Sequence, residues 1–148
     1  LALALVAVGL APYEPPARAA LAVASGVVPE EPWSPERLAA LRAEHRPIFV
    51  DFTAAWCVTC QVNEQVALET DEAAAAFKRT GTVLLKADWT SRDAQIAKAL
   101  ADEGRVGVPL YLVYGVNGAA PKILPQLLSA DLVAQALDEA SRPPGQGG

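Results

Sequence analysis

The chain has 148 residues, of which 52% are hydrophobic and 20% charged, and its net charge is −5. That is one domain's length with enough apolar residues for a real core, which excludes a disordered chain. The acidic balance argues against nucleic acid or an anionic membrane surface as the main partner, and two cysteines are too few for a disulfide scaffold.

Residues 1–11 (LALALVAVGLA) are apolar and uncharged, yet a spanning helix needs about 20 such residues. The basic n-region and small-residue cleavage pattern of a signal peptide are missing. Methionine is absent, even at position 1. The stretch is therefore expected to be the end of a transmembrane helix whose start lies outside this sequence, the alternative being a buried or disordered apolar leader. Residues 12–33 are rich in proline and alanine and read as an extended linker, unless Ala17 to Val23 makes a short helical turn. Residues 34–141 are expected to form the domain, and 142–148 a flexible tail.

Within the domain, Ser34 is expected to cap a helix with Pro35 at its first position, running through Leu38 and Leu41 to about Glu44. Pro47 to Thr53 reads as a buried central strand. A second helix should begin at Cys57 and run to about Leu68. A third, capped by Thr70 or Asp71, should end at Gly81. Thr82 to Asp88 is the next buried strand. Thr90 or Ser91 should cap a helix from Arg92 to about Glu103. Val108 to Tyr114 is a third strand, and the Val116-Asn117-Gly118 turn predicts a hairpin partner from Lys122 to about Leu127. Ser129 should cap a last helix from Ala130 to about Ala140. The alternation predicts an α/β fold with a central mixed sheet of about four strands, flanked by helices on both faces.

The two cysteines, Cys57 and Cys60, stand two residues apart directly after the first strand. That spacing fits a metal clip, a structural bridge or a redox couple. A structural zinc site normally takes four protein ligands, and the sequence offers two cysteines and one histidine. That histidine, His45, reads as a solvated or capping residue near a helix C-terminus. A purely structural disulfide over so short a loop would constrain little of the unfolded chain. Trp33, Trp89, Tyr111 and Tyr114 read as packing rather than as a ligand cage. No phosphate loop or Ser/His/Asp arrangement is present.

With WCVTC between a strand and a helix, and Val108-Pro109 opening a later strand, the chain resembles the thioredoxin superfamily. VDFTAAWCVTCQVNE, VLLKADWTSRDAQIAKAL and GVPLYLVYG are similar to the C-terminal thioredoxin-like domain of the DsbD family of transmembrane thiol:disulfide reductases. ILPQLL is closer to the ScsB type of that family. The resemblance covers about residues 34–140. It implies a protein-disulfide reductase with no cofactor beyond the Cys57–Cys60 disulfide. It also implies a periplasmic domain of an inner-membrane protein, receiving electrons from a membrane-embedded domain of the same polypeptide and passing them to extracytoplasmic thioredoxin-like proteins. The alternatives are a reductase for cytochrome c maturation and a non-catalytic peptide-binding module.

The residue types suit this chemistry. At the start of a helix, Cys57 faces free backbone N–H groups and the positive end of the dipole, which favour a thiolate. It is expected to be the nucleophile, and Cys60, one turn on, the resolving thiol. Trp56 should shield the pair. Val58 and Thr59 between the sulfurs carry no charge, which predicts a reducing couple rather than a strong oxidant. Asp51 and Glu64 are expected to tune the thiols and accept the Cys60 proton, the alternatives being a hydrogen-bonded structural aspartate at Asp51 and a solvated helix residue at Glu64. The resemblance implies that Pro109 is cis and packs against the cysteines, leaving the Val108 backbone free for an extended partner segment. Leu110, where many thioredoxins have Thr, is expected to alter the rim of the substrate groove.

Overall fold

The computed structural model describes residues 28–146. The elements in chain order are β1 (Glu30–Pro32), α1 (Pro35–Ala43), β2 (Ile48–Thr53), α2 (Val58–Asn63) running into a π-helical turn (Glu64–Leu68), α3 (Asp71–Thr80), β3 (Val83–Asp88), α4 (Ala94–Asp102), β4 (Leu110–Tyr114), β5 (Lys122–Ile123) and α5 (Ala130–Ala140). The strands form one sheet in the order β1-β3-β2-β4-β5. β3 runs parallel to both β1 and β2, while β4 is antiparallel to β2 and β5.

β2 is central and buried at every position, as expected of a strand covered on both faces. The two-residue period of the strand splits its side chains between two cores. Ile48, Val50 and Phe52 pack with Leu41 of α1 and with Ile96 and Leu100 of α4. Phe49 packs on the other face with Ala67 and Leu68 of the π turn, Phe77 of α3 and Val133 and Leu137 of α5. Asp51 follows Phe49 by two residues and shares its face. Its register neighbours are Lys86 on β3 and Tyr111 on β4.

The helix starts follow side-chain chemistry. Ser34, Thr70 and Ser129 each accept a hydrogen bond from the backbone N–H three residues on. α3 closes on Gly81 in the left-handed conformation, φ 67°.

The structure corrects five expectations. The linker does not extend to residue 33: Glu30–Pro32 pairs with Leu84–Lys86 and adds a fifth strand. Main-chain pairing to an open sheet edge leaves no compositional mark. α4 is capped by Asp93, not by Thr90 or Ser91, because the Thr90 hydroxyl bonds Ala55 N–H instead. The helix after Cys57 widens to a π turn at Glu64, with Glu69 N–H donating to Glu64 O. β4 begins at Leu110, after the donorless Pro109. β5 spans two residues and one further bond, Leu124 N–H to Tyr111 O, before Pro125 interrupts it. The expected leader (1–11) and residues 12–27 of the expected linker lie outside the described residues. Among the described residues no helix is long and apolar enough to cross a membrane.

Candidate active site

β2 delivers the chain to the site, and the turn Ala54-Ala55-Trp56 reverses it into α2. Cys57 is the N-cap of that helix and keeps extended backbone angles, φ −90° and ψ 104°. Its sulfur takes the place of a capping oxygen and accepts the Cys60 N–H at 3.2 Å. Cys57 and Cys60 are joined as a disulfide with their Cα atoms 5.3 Å apart. Cys57 keeps 8% of its surface and Cys60 1%, so the first sulfur is the one nearer solvent. Ala54 and Val108 pack against the pair. The Val108–Pro109 bond is cis, and Pro109 is buried. No backbone hydrogen bond engages Val108 among the described residues. Leu110 corrects its expectation. As the first residue of β4 it pairs with Phe52 and sits in the α1/α4 core at 2% exposure, away from any rim.

Trp56 is half exposed and is fixed from the β3–α4 loop. Its indole N–H donates to Thr90 O at 3.1 Å, and Ala55 N–H donates to the Thr90 hydroxyl at 2.9 Å. Thr90 in turn donates its N–H and its hydroxyl to Asp88. Those two bonds hold the Asp88 carboxyl below its ordinary pKa. Trp89 is buried, with its ring centroid 6.0 Å from that of Trp56. The Arg92 guanidinium carbon lies 4.8 Å from the Trp56 ring centre and 5.0 Å from that of Trp89.

On the strand that leads to the disulfide and on the helix that follows it, Asp51 and Glu64 come together with Lys86. Asp51 is 3% exposed, and its Oδ1 has no hydrogen-bond partner. Burial, then the charges of Glu64 and Glu30, push its pKa up to about 7 against the opposing pull of Lys86. Lys86 Nζ lies 3.5 Å from both Glu64 Oε1 and Glu30 Oε1, and the Thr53 hydroxyl lies 3.4 Å from Glu64 Oε1. Burial alone would lower the Lys86 pKa, but Glu30, Glu64 and Asp51 together raise it. These groups border a cavity of about 270 Å³ that also touches Leu68 and Leu84. A carboxyl that titrates near neutrality can both hold and release a proton.

Sequence reasoning did not single out Asn63, which is 1% exposed. Its amide donates to Tyr111 Oη at 2.8 Å and to Gln126 O at 2.7 Å, and its Oδ1 accepts from Leu128 N–H at 3.1 Å. It ties the cysteine-bearing helix to β4 and to the 126–128 segment. Burial raises the Tyr111 pKa against the lowering effect of the Asn63 bond. The signal in the sequence was an asparagine one turn after Cys60 on the inward face. Lys86 was equally legible as a lone cation within an apolar strand, and Arg92 as a cation close to two tryptophans.

A profile of the family described as Thioredoxin-like matches residues 29–115. The chain is 32% identical over 85 residues to the thiol:disulfide interchange protein DsbD of Yersinia enterocolitica, covering 57% of this chain and 14% of that protein. It is 34% identical over 83 residues to DsbD of Vibrio vulnificus, covering 56% and 14%. The chain thus spans about a seventh of the length of these curated relatives. Among solved structures, the oxidised C-terminal domain of Neisseria meningitidis DsbD matches 76% of this chain and 99% of its own, with a TM-score of 0.59 and 20% identity. A Thermus thermophilus thioredoxin matches 75% and 82%, with a TM-score of 0.54 and 19% identity. At such identity these two likenesses speak for the fold.

Proposed function

The chain belongs to the thioredoxin-like family, and from that premise we propose that it is the protein-disulfide reductase domain of a DsbD-type protein. As a thiol:disulfide oxidoreductase, it uses the Cys57–Cys60 couple. The observation that carries the reading is that couple itself, capping a helix, with the more exposed sulfur first and the cis Val108–Pro109 bond nearby.

In the reduced form, Cys57 Sγ attacks one sulfur of a partner's disulfide. The partner's other sulfur leaves as a thiolate and takes a proton. The helix start stabilises the attacking thiolate. Cys60 then gives up its proton to Asp51 and attacks Cys57 Sγ. The partner's second sulfur leaves as a thiolate and takes a proton, and Cys57–Cys60 is left oxidised. Two electrons have passed to the partner. An extended segment of the partner lies along the Val108 backbone during the exchange, with Trp56 as the flat surface beside it. Glu64 and Lys86 set the charge around Asp51.

Electrons return from a membrane-embedded domain of the same polypeptide, and the clients are extracytoplasmic thioredoxin-like proteins, which places this domain in the periplasm. Similarity to DsbD over 77–85 residues supports this part. Insulin reduction by the chain, lost in Cys57→Ser and Cys60→Ser, tests the activity. A mixed disulfide trapped by Cys60→Ser from a periplasmic extract identifies the client. Lack of turnover in the unaltered chain would leave only a peptide-binding module.

A further inference from the structure

We propose that Arg92 selects the redox partner: its guanidinium, held over Trp56 and Trp89 beside Cys57, pairs with a carboxylate flanking the reactive cysteine of the incoming protein. The inference rests on the reading of the domain as a protein-disulfide reductase.

The backbone delivers this side chain at some cost. Arg92 has φ 54°, a left-handed conformation uncommon for a residue with a Cβ. Its N–H closes the turn on Trp89 O at 2.9 Å. The two indole faces attract the cation and restrict its motion before any partner arrives, which lowers the ordering cost of docking.

The charge itself is free to act on a partner. No carboxylate among the described residues forms an ion pair with Arg92. The aspartates nearest in sequence are already engaged. Asp88 accepts from Thr90, and Asp93 accepts from Gln95 N–H and Ile96 N–H to cap α4.

The surroundings make this charge the discriminating one. Trp56, Val58, Val62 and Val66 are all exposed along the cysteine-bearing helix, and Val106 is exposed in the loop before Pro109. From Ala55 to Leu68 the one ionisable side chain besides the cysteines is Glu64, and it faces Lys86. Asp88 and Asp93 carry charge in the same loop. Their oxygens are taken by Thr90 and by the N–H groups that open α4, so an acidic flank on the partner finds in Arg92 the cation stacked on Trp56 with no ion-pair partner of its own among the described residues. A basic flank gains no such pairing. Rim charges of this kind act on the association rate and are sensitive to salt.

The test uses two bridged two-cysteine peptides, identical except for Glu or Lys beside the attacked cysteine. Their second-order rates of oxidising the reduced chain are followed by stopped-flow tryptophan fluorescence. At low salt the Glu peptide should react about fivefold faster, falling toward equality at about 0.5 M salt. Arg92→Glu should invert the preference, and Arg92→Lys should keep its direction with a smaller ratio. A change in the potential of the cysteine couple scales both rates together, so the ratio isolates docking. Equal rates in the unaltered chain, or a ratio that Arg92→Glu leaves in place, overturn the proposal. If neither peptide is reduced, the reductase reading falls and this inference falls with it.

Discussion

The disulfide has two sides, and they are built from opposite materials. Inward lie Ala54, Val108 and the buried Pro109, with Asp51 holding an unpartnered oxygen deeper in the sheet. Outward lie Trp56, Val58 and Arg92, all in contact with solvent. On the inner side burial pushes one carboxyl, that of Asp51, up to about 7. On the outer side water screens every charge, so Arg92 can bias an encounter but cannot retune a sulfur through the solvent. The difference separates the two proposed jobs: proton and thiol chemistry on the inner side, and selection of the approaching protein on the outer side.

Removing the sulfurs breaks both sides at once. Cys57→Ser should bring insulin reduction to the uncatalysed rate, whereas Cys60→Ser should still form a mixed disulfide that gel electrophoresis detects.

The next largest effect belongs to Asp51. Its carboxyl is raised in the fold from 3.8 to about 7, so between those values the folded chain holds a proton that the unfolded chain has released. Stability contributed at this site is therefore full below pH 4 and lost as pH rises toward 7. Asp51→Asn should be the more stable form at pH 8, by on the order of 4 kcal/mol, with the gap closing by pH 4. Urea unfolding of the oxidised forms at both pH values measures it. In the reduced form, the same substitution should shift the Cys57 titration downward by removing a nearby negative charge. An unmoved thiol curve would take Asp51 out of the proton chemistry.

Asn63→Ala tests what holds the inner side in place. It strips partners from Tyr111 Oη, Gln126 O and Leu128 N–H, at a cost of about 2–4 kcal/mol in unfolding free energy. The smallest effect is expected on the outer side. Thr90→Val removes the hydroxyl that receives Ala55 N–H, for about 1 kcal/mol, with a shift in tryptophan emission as the rim loosens. A Thr90→Val loss as large as that of Asn63→Ala would contradict the division between the two sides.

Local chemistry was legible from the residues alone. The strand entering the site, the helix caps at Ser34, Thr70 and Ser129, and the cysteine spacing depend on groups within a few positions of one another. A period of two in β2 places Asp51 opposite Phe52, and so away from the α1/α4 core, before any coordinates exist. Three things needed the fold. β1 forms because β3 offers an open edge 54 residues later in register, Glu30 against Leu84, and an edge recruits backbone without regard to side chains. Leu110 is buried because β4 pairs with the central strand, Leu110 against Phe52, inside the α1/α4 core. Thr90 leaves helix capping to Asp93 because the incoming Ala55 N–H competes for its hydroxyl. The sequence by itself determined which sulfurs meet and at the start of which helix, because a three-residue separation brings them within reach across one turn. Only the tertiary structure decided what surrounds them, since Lys86, Asn63 and Arg92 act through partners brought close by packing rather than by chain neighbourhood.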